Sequence, residues 1–579
     1  MKCFKLSLYL LLAGLSLKAQ EFQTPFEQSN GTETATYEQG IHYYQSLAEA
    51  FPQIRMMEMG LTDSGEPLHL VIFNKTQNFN LAEIKNGEKA VFLINNAIHA
   101  GEPDGVDASM MLLRDLAQNE EDNPFLDDVV IAVIPFYNVG GVLNRNNVWR
   151  VNQNGPESYG FRGNAKNLDL NRDFIKMDSK NAFSFIEIFH SLDPDIFVDT
   201  HVTNGSDHQH VLTILSTQHN KLGGGLGKYL ENTLEPLIFE EMIKKGNDPV
   251  PYVNVHGKSP EEGWTQFWDA ARYTSGYSTL FQTIGFMTES HMWKDYEQRV
   301  EANYDFLLTI AQLSGSQKEQ IKSLRSEAKE KLLQADSLPV LWKNNKNEFK
   351  MITLKGYRTS MPESELTGQP LLKYHRDDPF EKEVPFFNEY VVSKEVRVPD
   401  YYILPQAWHN LKERLEANGV KMEVLNIDTT INVQSYRIKD YQTVRNVYES
   451  HYLHYNTQVD VDTISMNFRK GDYIIPLNQL AKRYLVETLE PEAQDSFFNW
   501  NFFDSILQQK EGFSDYVFEE KAKSILNEFS EEQQKEFQQL KEEDSTFAQS
   551  NYAQLDWIFK RSAHYEKAHL RYPVYRLFK

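Results

Sequence analysis

Three short apolar runs, far apart in this 579-residue chain, each lead into residues that can bind a metal or move a proton. Val91-Phe92-Leu93-Ile94 is followed by His99 and Glu102. Ile196-Phe197-Val198 is followed by Asp199 and His201, and Ile284-Gly285-Phe286-Met287-Thr288 by Glu289. Apolar runs of about four to eight residues read as buried strands. Further runs at 68–73, 129–134 and 211–215 alternate with helical patterns at 106–116 and 181–190. The alternation predicts an α/β fold, a mixed and largely parallel sheet flanked by helices. Gly101 and Pro103 punctuate the first run and put His99 and Glu102 on the loop at the strand's exit, where open sheets of this class bind ligands.

Two histidines and one carboxylate form a zinc set that leaves a coordination position open for water or substrate. Asp199, two residues before His201, is placed either to orient a ligand histidine or to make a structural hydrogen bond. A carboxylate at Glu289 suits proton transfer beside such a metal. Asn171 and Arg172, in Asn167-Leu168-Asp169-Leu170-Asn171-Arg172-Asp173, supply a planar guanidinium that can grip a substrate carboxylate. The competing reading pairs Arg172 internally with Asp169 or Asp173.

In this order, over residues 37–313, these residues resemble the zinc carboxypeptidase family, the carboxypeptidase A-like metallopeptidases. The resemblance implies one zinc ion per chain, held by His99, Glu102 and His201, with Glu289 as general base. It implies that Asn171 and Arg172 grip the substrate's terminal carboxylate and that Arg150, in Trp149-Arg150, stabilises the oxyanion. The family's mobile substrate-contacting tyrosine has two matches, Tyr273 and Tyr277. The stretch between Trp264 and Gln282, where the specificity pocket falls, does not align, so the preferred terminal residue stays open. His208, His210 and His291 lie near these motifs and are expected to hold no metal, since three protein ligands suffice.

At the chain's start, Lys2 and Lys5 precede an apolar core from Leu6 to Leu17, a pattern that predicts an export signal over residues 1–19 and a periplasmic or extracellular protein. Cys3 is the single cysteine and would leave with that signal, which excludes thiolate catalysis and cysteine-ligated zinc. No other apolar run approaches the roughly 20 residues needed to span a bilayer. The net charge of −23, with acidic residues dispersed, argues against nucleic acid or an anionic membrane as partner.

The length calls for more than one domain. The chain divides into a catalytic domain (37–313), a helical connector (314–339) and an α+β accessory region with a helical tail (340–579). An aromatic cluster, Phe497-Phe498-Asn499-Trp500-Asn501-Phe502-Phe503, reads as core, and no second catalytic set appears in the accessory region. The leading expectation is an exported zinc metallocarboxypeptidase acting on peptides with a free C-terminal carboxylate. One alternative is a zinc amidase acting on peptidoglycan stem peptides or N-acyl amino acids. Another is a peptide- or glycan-binding surface protein with an inert zinc domain, against which the complete ligand set and Glu289 argue. No His-Glu-x-x-His occurs, which sets aside endopeptidases built on that helix.

Overall fold

The structure, a computed structural model, describes residues 22–579, so the expected export signal lies outside the described residues. In chain order the first strands are β1 (Ile54–Leu61), β2 (Pro67–Phe73), β3 (Ala90–Asn95), β4 (Val129–Ile134), β5 (Ile196–Thr203), β6 (Leu212–Ser216), β7 (Val250–Pro251), β8 (Trp264–Thr265) and β9 (Ile284–His291). All but β8 form one eight-stranded sheet in the order β1-β2-β4-β3-β5-β9-β6-β7. The central pairs β4–β3, β3–β5 and β5–β9 are parallel, as is the edge pair β6–β7, while β1–β2, β2–β4 and β6–β9 are antiparallel. The sheet is therefore mixed with a parallel centre, as the apolar runs predict. β1 escapes that reading because Arg55 and Glu58 interrupt its methionines, as suits a half-exposed edge strand.

Helices α1 (Tyr37–Ala50), α2 (Asp104–Gln118), α3 (Lys180–Leu192), α4 (Tyr296–Ser316) and α5 (Lys318–Gln334) cover the sheet. Strand residues alternate between its two faces. Phe92 and Ile94 pack into a core with residues of α1, α2 and α4, whereas Val91 and Leu93 pack into a second core with α3. Local signals set the helix ends. Thr36 and Gln39 form a capping box at the start of α1, the Ser179 side chain caps α3, and Asp193 closes α3 in the left-handed region at φ 47°.

The apolar pattern over 299–335 predicts one helix, but the chain forms two, broken at Gln317. Just before the break Gly315 packs on Phe125 so closely that a Cβ would lie 2.7 Å from the Phe125 carbonyl oxygen. α5 is tied to the sheet by buried Arg325, whose guanidinium donates to Asp195 Oδ1 and Asp193 Oδ1 at 2.5 and 2.9 Å.

Beyond α5 come β10 (Ser337–Asn344), β11 (Lys350–Ser360), β12 (Lys373–Phe387), β13 (Tyr390–Arg397), β14 (Tyr401–Leu404), β15 (Glu423–Val424), β16 (Thr429–Thr443), β17 (His454–Phe468), β18 (Tyr473–Pro476) and β19 (Tyr575–Leu577). β11 and β12 form a hairpin joined by the short β8, and a six-stranded sheet runs β15-β18-β14-β19-β16-β17. Three helices, Asp515–Glu528, Glu531–Glu543 and Asn551–Arg561, enclose a small core of their own around Phe518, Phe537 and Trp557 before the chain returns as β19. The aromatic cluster is core, as expected: Phe497, Phe498, Trp500 and Phe503 are fully buried. They belong to the same continuous core as α3, which makes the C-terminal region a second wall on that face of the sheet. Among the described residues no helix is long and apolar enough to cross a membrane.

Candidate active site

β3 ends at Asn95 and the chain turns over the edge of the sheet. The Asn96 N–H donates to the Ile134 carbonyl, and Ala97 takes φ 56°. A left-handed alanine is costly and persists only where its surroundings hold it. Here it delivers His99 and Glu102 above the ends of the parallel strands. Glycine permits the close approach this requires, since a Cβ at Gly105 would lie 2.2 Å from Thr200 Oγ1 on β5.

His201 projects from β5, and all three expected ligands are buried. The Nδ1 atoms of His99 and His201 lie 3.1 Å apart, and Glu102 Oε2 is 3.2 Å from the first and 3.1 Å from the second. Each imidazole turns its other nitrogen to a carboxylate. His99 Nε2 donates to Asp169 Oδ1 at 3.0 Å, and His201 Nε2 to Asp199 Oδ2 at 2.8 Å. An ionised carboxylate only accepts, so both protons belong on Nε2 and both Nδ1 lone pairs face the Glu102 oxygen. Three electron-rich atoms on a buried triangle repel one another unless a cation joins them. Tetrahedral zinc with bonds of about 2.0–2.1 Å sets its donors roughly 3.3 Å apart, so His99, Glu102 and His201 fit that ion. Asp199 thus orients His201, and is itself fixed by Asn95 Nδ2 at 2.9 Å.

Glu102 is anchored from two sides. Its Oε1 accepts from Arg150 Nη1 at 2.6 Å, and its Oε2 from the Val202 N–H at 3.0 Å. Burial pushes the Glu102 carboxyl up, but Arg150 and His99 outweigh burial and hold it well below the ordinary carboxylate range.

Glu289 sits beside this triangle because β5 and β9 pair in parallel with His201 and Glu289 in register. Both line a cavity of about 450 Å³ whose walls include Trp149, Arg150, Arg162, Asn171 and Tyr252. Burial pushes the Glu289 carboxyl up to about 7, against the opposing pull of His201. Arg150 is fully engaged, donating also to Gln153 Oε1 at 2.6 Å and to the Val202 carbonyl at 3.0 Å. Arg162 is the freer cation at this wall. Its side chain is 44% exposed, with Nη1 3.5 Å from Glu102 Oε1 and Nη2 2.9 Å from Asp169 Oδ2.

Asn171 lies at the cavity wall, where its Oδ1 accepts the Thr274 N–H at 3.1 Å. The Arg172 guanidinium lies over the Tyr273 ring, 4.5 Å from its centroid, and its Nη1 donates to the Asn171 carbonyl at 2.7 Å. Its nearest carboxylate oxygen, Asp169 Oδ2, is 3.8 Å away, too far for a direct hydrogen bond. Asp173 belongs elsewhere, bound by Lys176 Nζ at 2.6 Å and Ser179 Oγ at 2.5 Å.

The two tyrosines separate. Tyr273 caps the short helix Thr274–Thr279 beside Arg172. Tyr277, one helical turn further on, corrects the expectation that it could touch substrate. It is fully buried, donates to Asn418 Oδ1 at 2.6 Å, and packs against Phe174, Phe189 and Phe281. His208, His210 and His291 stand outside the donor triangle. His291 Nε2 meets Asp207 Oδ1 at 3.1 Å, His210 Nε2 accepts the Lys355 N–H at 3.1 Å, and the buried His208 packs edge-on to His291.

Sequence reasoning missed Arg162 and Tyr252, and saw Asp169 only as a partner for Arg172. Asp169 had a faint signal, a carboxylate two residues before the Asn171-Arg172 pair; Arg162 and Tyr252 had none.

Residues 41–322 match the family model described as zinc carboxypeptidase. Carboxypeptidase 2 of Trichophyton tonsurans is 22% identical over 429 residues, covering 70% of this chain and 72% of that protein. Carboxypeptidase 2 of Trichophyton rubrum is 22% identical over 428 residues, with the same coverage. Among solved structures, carboxypeptidase A from Helicoverpa armigera is 14% identical with a TM-score of 0.37, covering 49% of this chain and 74% of that one. A metallo-carboxypeptidase from Pseudomonas aeruginosa is 14% identical with a TM-score of 0.37, covering 48% and 69%. These findings identify residues 41–322 as a domain that matches the zinc carboxypeptidase family.

Proposed function

We propose that this chain is an exported metallocarboxypeptidase that hydrolyses the last peptide bond of substrates bearing a free C-terminal carboxylate. One observation carries the reading: His99, Glu102, His201, Glu289 and Asn171 all line one cavity, and Arg172, next in the chain, donates to the Asn171 carbonyl. Zinc held by the three ligands would supply Lewis acidity and make water a nucleophile near neutral pH.

Glu289 takes the proton of the attacking water and delivers it to the departing amine, and a carboxyl raised by burial suits both halves of that transfer. Arg150 and Arg162 put positive charge at the wall where the carbonyl oxygen turns negative. Asn171 and Arg172 hold the terminal carboxylate, with Tyr273 beneath the guanidinium as a flat support. Asp169 and Asp199 keep the two imidazoles in the tautomer and orientation that leave Nδ1 available. Export rests on the charged and apolar pattern of residues 2–17.

The test is to incubate the zinc-loaded protein with a mixed peptide pool and read the products by mass. Ladders shortening from the C-terminus, strongly slowed when the peptides are amidated, support the reading. Internal cleavage, or release of acyl groups without peptide shortening, overturns it.

A further inference from the structure

One hairpin of the C-terminal region reaches Asp169 beside the site. Between β16 and β17 the chain makes a last tight turn, Tyr448-Glu449-Ser450-His451. The Tyr448 N–H donates to the His451 carbonyl at 2.7 Å, and the His451 N–H to the Tyr448 carbonyl at 3.0 Å. Its two central residues have φ 49° and 69°, the left-handed values of a hairpin turn that favours Asn-Gly. Glu449 and Ser450 both have a Cβ and bear the cost of that conformation. Nothing in the local sequence requires a glutamate there, but its contacts do.

Glu449 Oε2 accepts the backbone N–H of Asp169 at 2.7 Å, across 280 residues of chain. His451 Nε2 anchors the turn's other side to Asp178 Oδ2 at 2.8 Å. The Tyr448 hydroxyl lies close to the guanidinium of Arg172. Arginine has no acceptor, so the guanidinium cannot take the phenolic proton, which can be given to an incoming anion. Asp169, which the turn holds by its backbone, is the residue whose carboxylate orients His99 and lies beside Arg162 and Arg172.

We propose that the Tyr448–His451 turn is part of the active site. Tyr448 completes the end of the site that receives the substrate's terminal carboxylate, donating its hydroxyl beside Arg172. Glu449 is a positioning residue that fixes Asp169, whose carboxylate lies 3.8 Å from the guanidinium on which the substrate docks. The proposal rests on the reading of Arg172 as the carboxylate's partner. It assigns a part of substrate recognition to the C-terminal region, outside the family domain.

Four variants on the full zinc-loaded chain test it: Tyr448→Phe, Glu449→Ala, Glu449→Gln, and the pair Glu449→Asn with Ser450→Gly. Each is measured for KM and kcat on a free peptide and on its amide, for thermal midpoint, and for calorimetric binding of the released amino acid. Tyr448→Phe is expected to raise KM for the free peptide about five- to tenfold while leaving kcat within about twofold and the amide unaffected. Glu449→Ala should behave alike, and Glu449→Gln, which keeps an oxygen for the Asp169 N–H, should restore the wild-type KM.

The Asn-Gly pair gives the sharpest reading, because it relieves the left-handed backbone while removing the reach to Asp169. Its thermal midpoint should rise while KM rises and binding of the amino acid weakens, a combination a merely structural turn does not produce. Unchanged KM and amino-acid binding in Tyr448→Phe and in the Asn-Gly pair overturn the turn's role, provided Arg172→Ala still abolishes the preference for free over amidated peptide. Should Arg172→Ala leave that preference intact, the carboxylate reading fails first and the turn's role falls with it.

Discussion

His201 and Glu289 are register partners on neighbouring parallel strands, so their side chains leave the same face of the sheet over one cavity. On the proposed reading, the pairing separates metal binding at His201 from proton transfer at Glu289, since each residue can be changed without moving the other's strand. Glu289→Gln is expected to retain zinc and the native fold while kcat falls roughly 100- to 10,000-fold. Metal analysis and steady-state kinetics on the same preparation check this. Turnover close to wild type would assign the proton transfer to another group.

Zinc binding should depend on carboxylates that never touch the ion. Asp199→Asn and Asp169→Asn each remove the charged acceptor of an Nε2 proton, which fixes the ligand imidazole. Each should weaken zinc affinity about 10- to 100-fold in competition with a chelator. His99→Ala and His201→Ala should abolish binding. Full zinc retention in either alanine variant would remove the three-ligand assignment.

Among the described residues Arg172 meets no carboxylate within hydrogen-bonding distance, and it rests on the ring of Tyr273. If it receives the substrate's carboxylate, Arg172→Ala and amidation of the substrate remove the same contact. Each alone should lower kcat/KM roughly 30-fold or more. Combined, they should lower it no further than either alone, which a double-mutant cycle reads directly. Additive losses would mean that Arg172 only supports its own loop.

Acid should loosen the junction between α3 and α5. Burial pushes the Asp193 carboxyl up, but Arg325 and Lys329 outweigh burial and hold it at about 2. An unfolded aspartate titrates near 3.9. Stability from this group is therefore fully present above about pH 4 and is lost as pH falls towards 2, an effect of about 2–3 kcal/mol at most. Asparagine tolerates the left-handed backbone at this position, so Asp193→Asn isolates the charge. Urea midpoints should separate the two proteins at pH 6 and bring them together near pH 2. A gap unchanged between those pH values would count against the ion pair.

The sequence by itself determined the sheet's central strands and the candidate site residues that follow their apolar runs. Runs such as Val91–Ile94 and Ile284–Met287 can only be buried, and a residue just past such a run must emerge at the sheet's edge. That is why His99, Glu102, His201 and Glu289 were legible one at a time, and why their union in one site follows once the strands pair in parallel. Tertiary structure decided what local pattern leaves open. Tyr273 and Tyr277 stand one helical turn apart in similar company, yet the packing of α3 against the C-terminal region draws Tyr277 into the core and leaves Tyr273 beside Arg172. Asp169 and Asp173 flank the same arginine, and only the fold sends one to His99 and the other to Lys176. The contact of Glu449 with the Asp169 backbone had no signature at all. Periodicity reports which face of an element is apolar, but a hydrogen bond across 280 residues depends on how two independently formed surfaces meet.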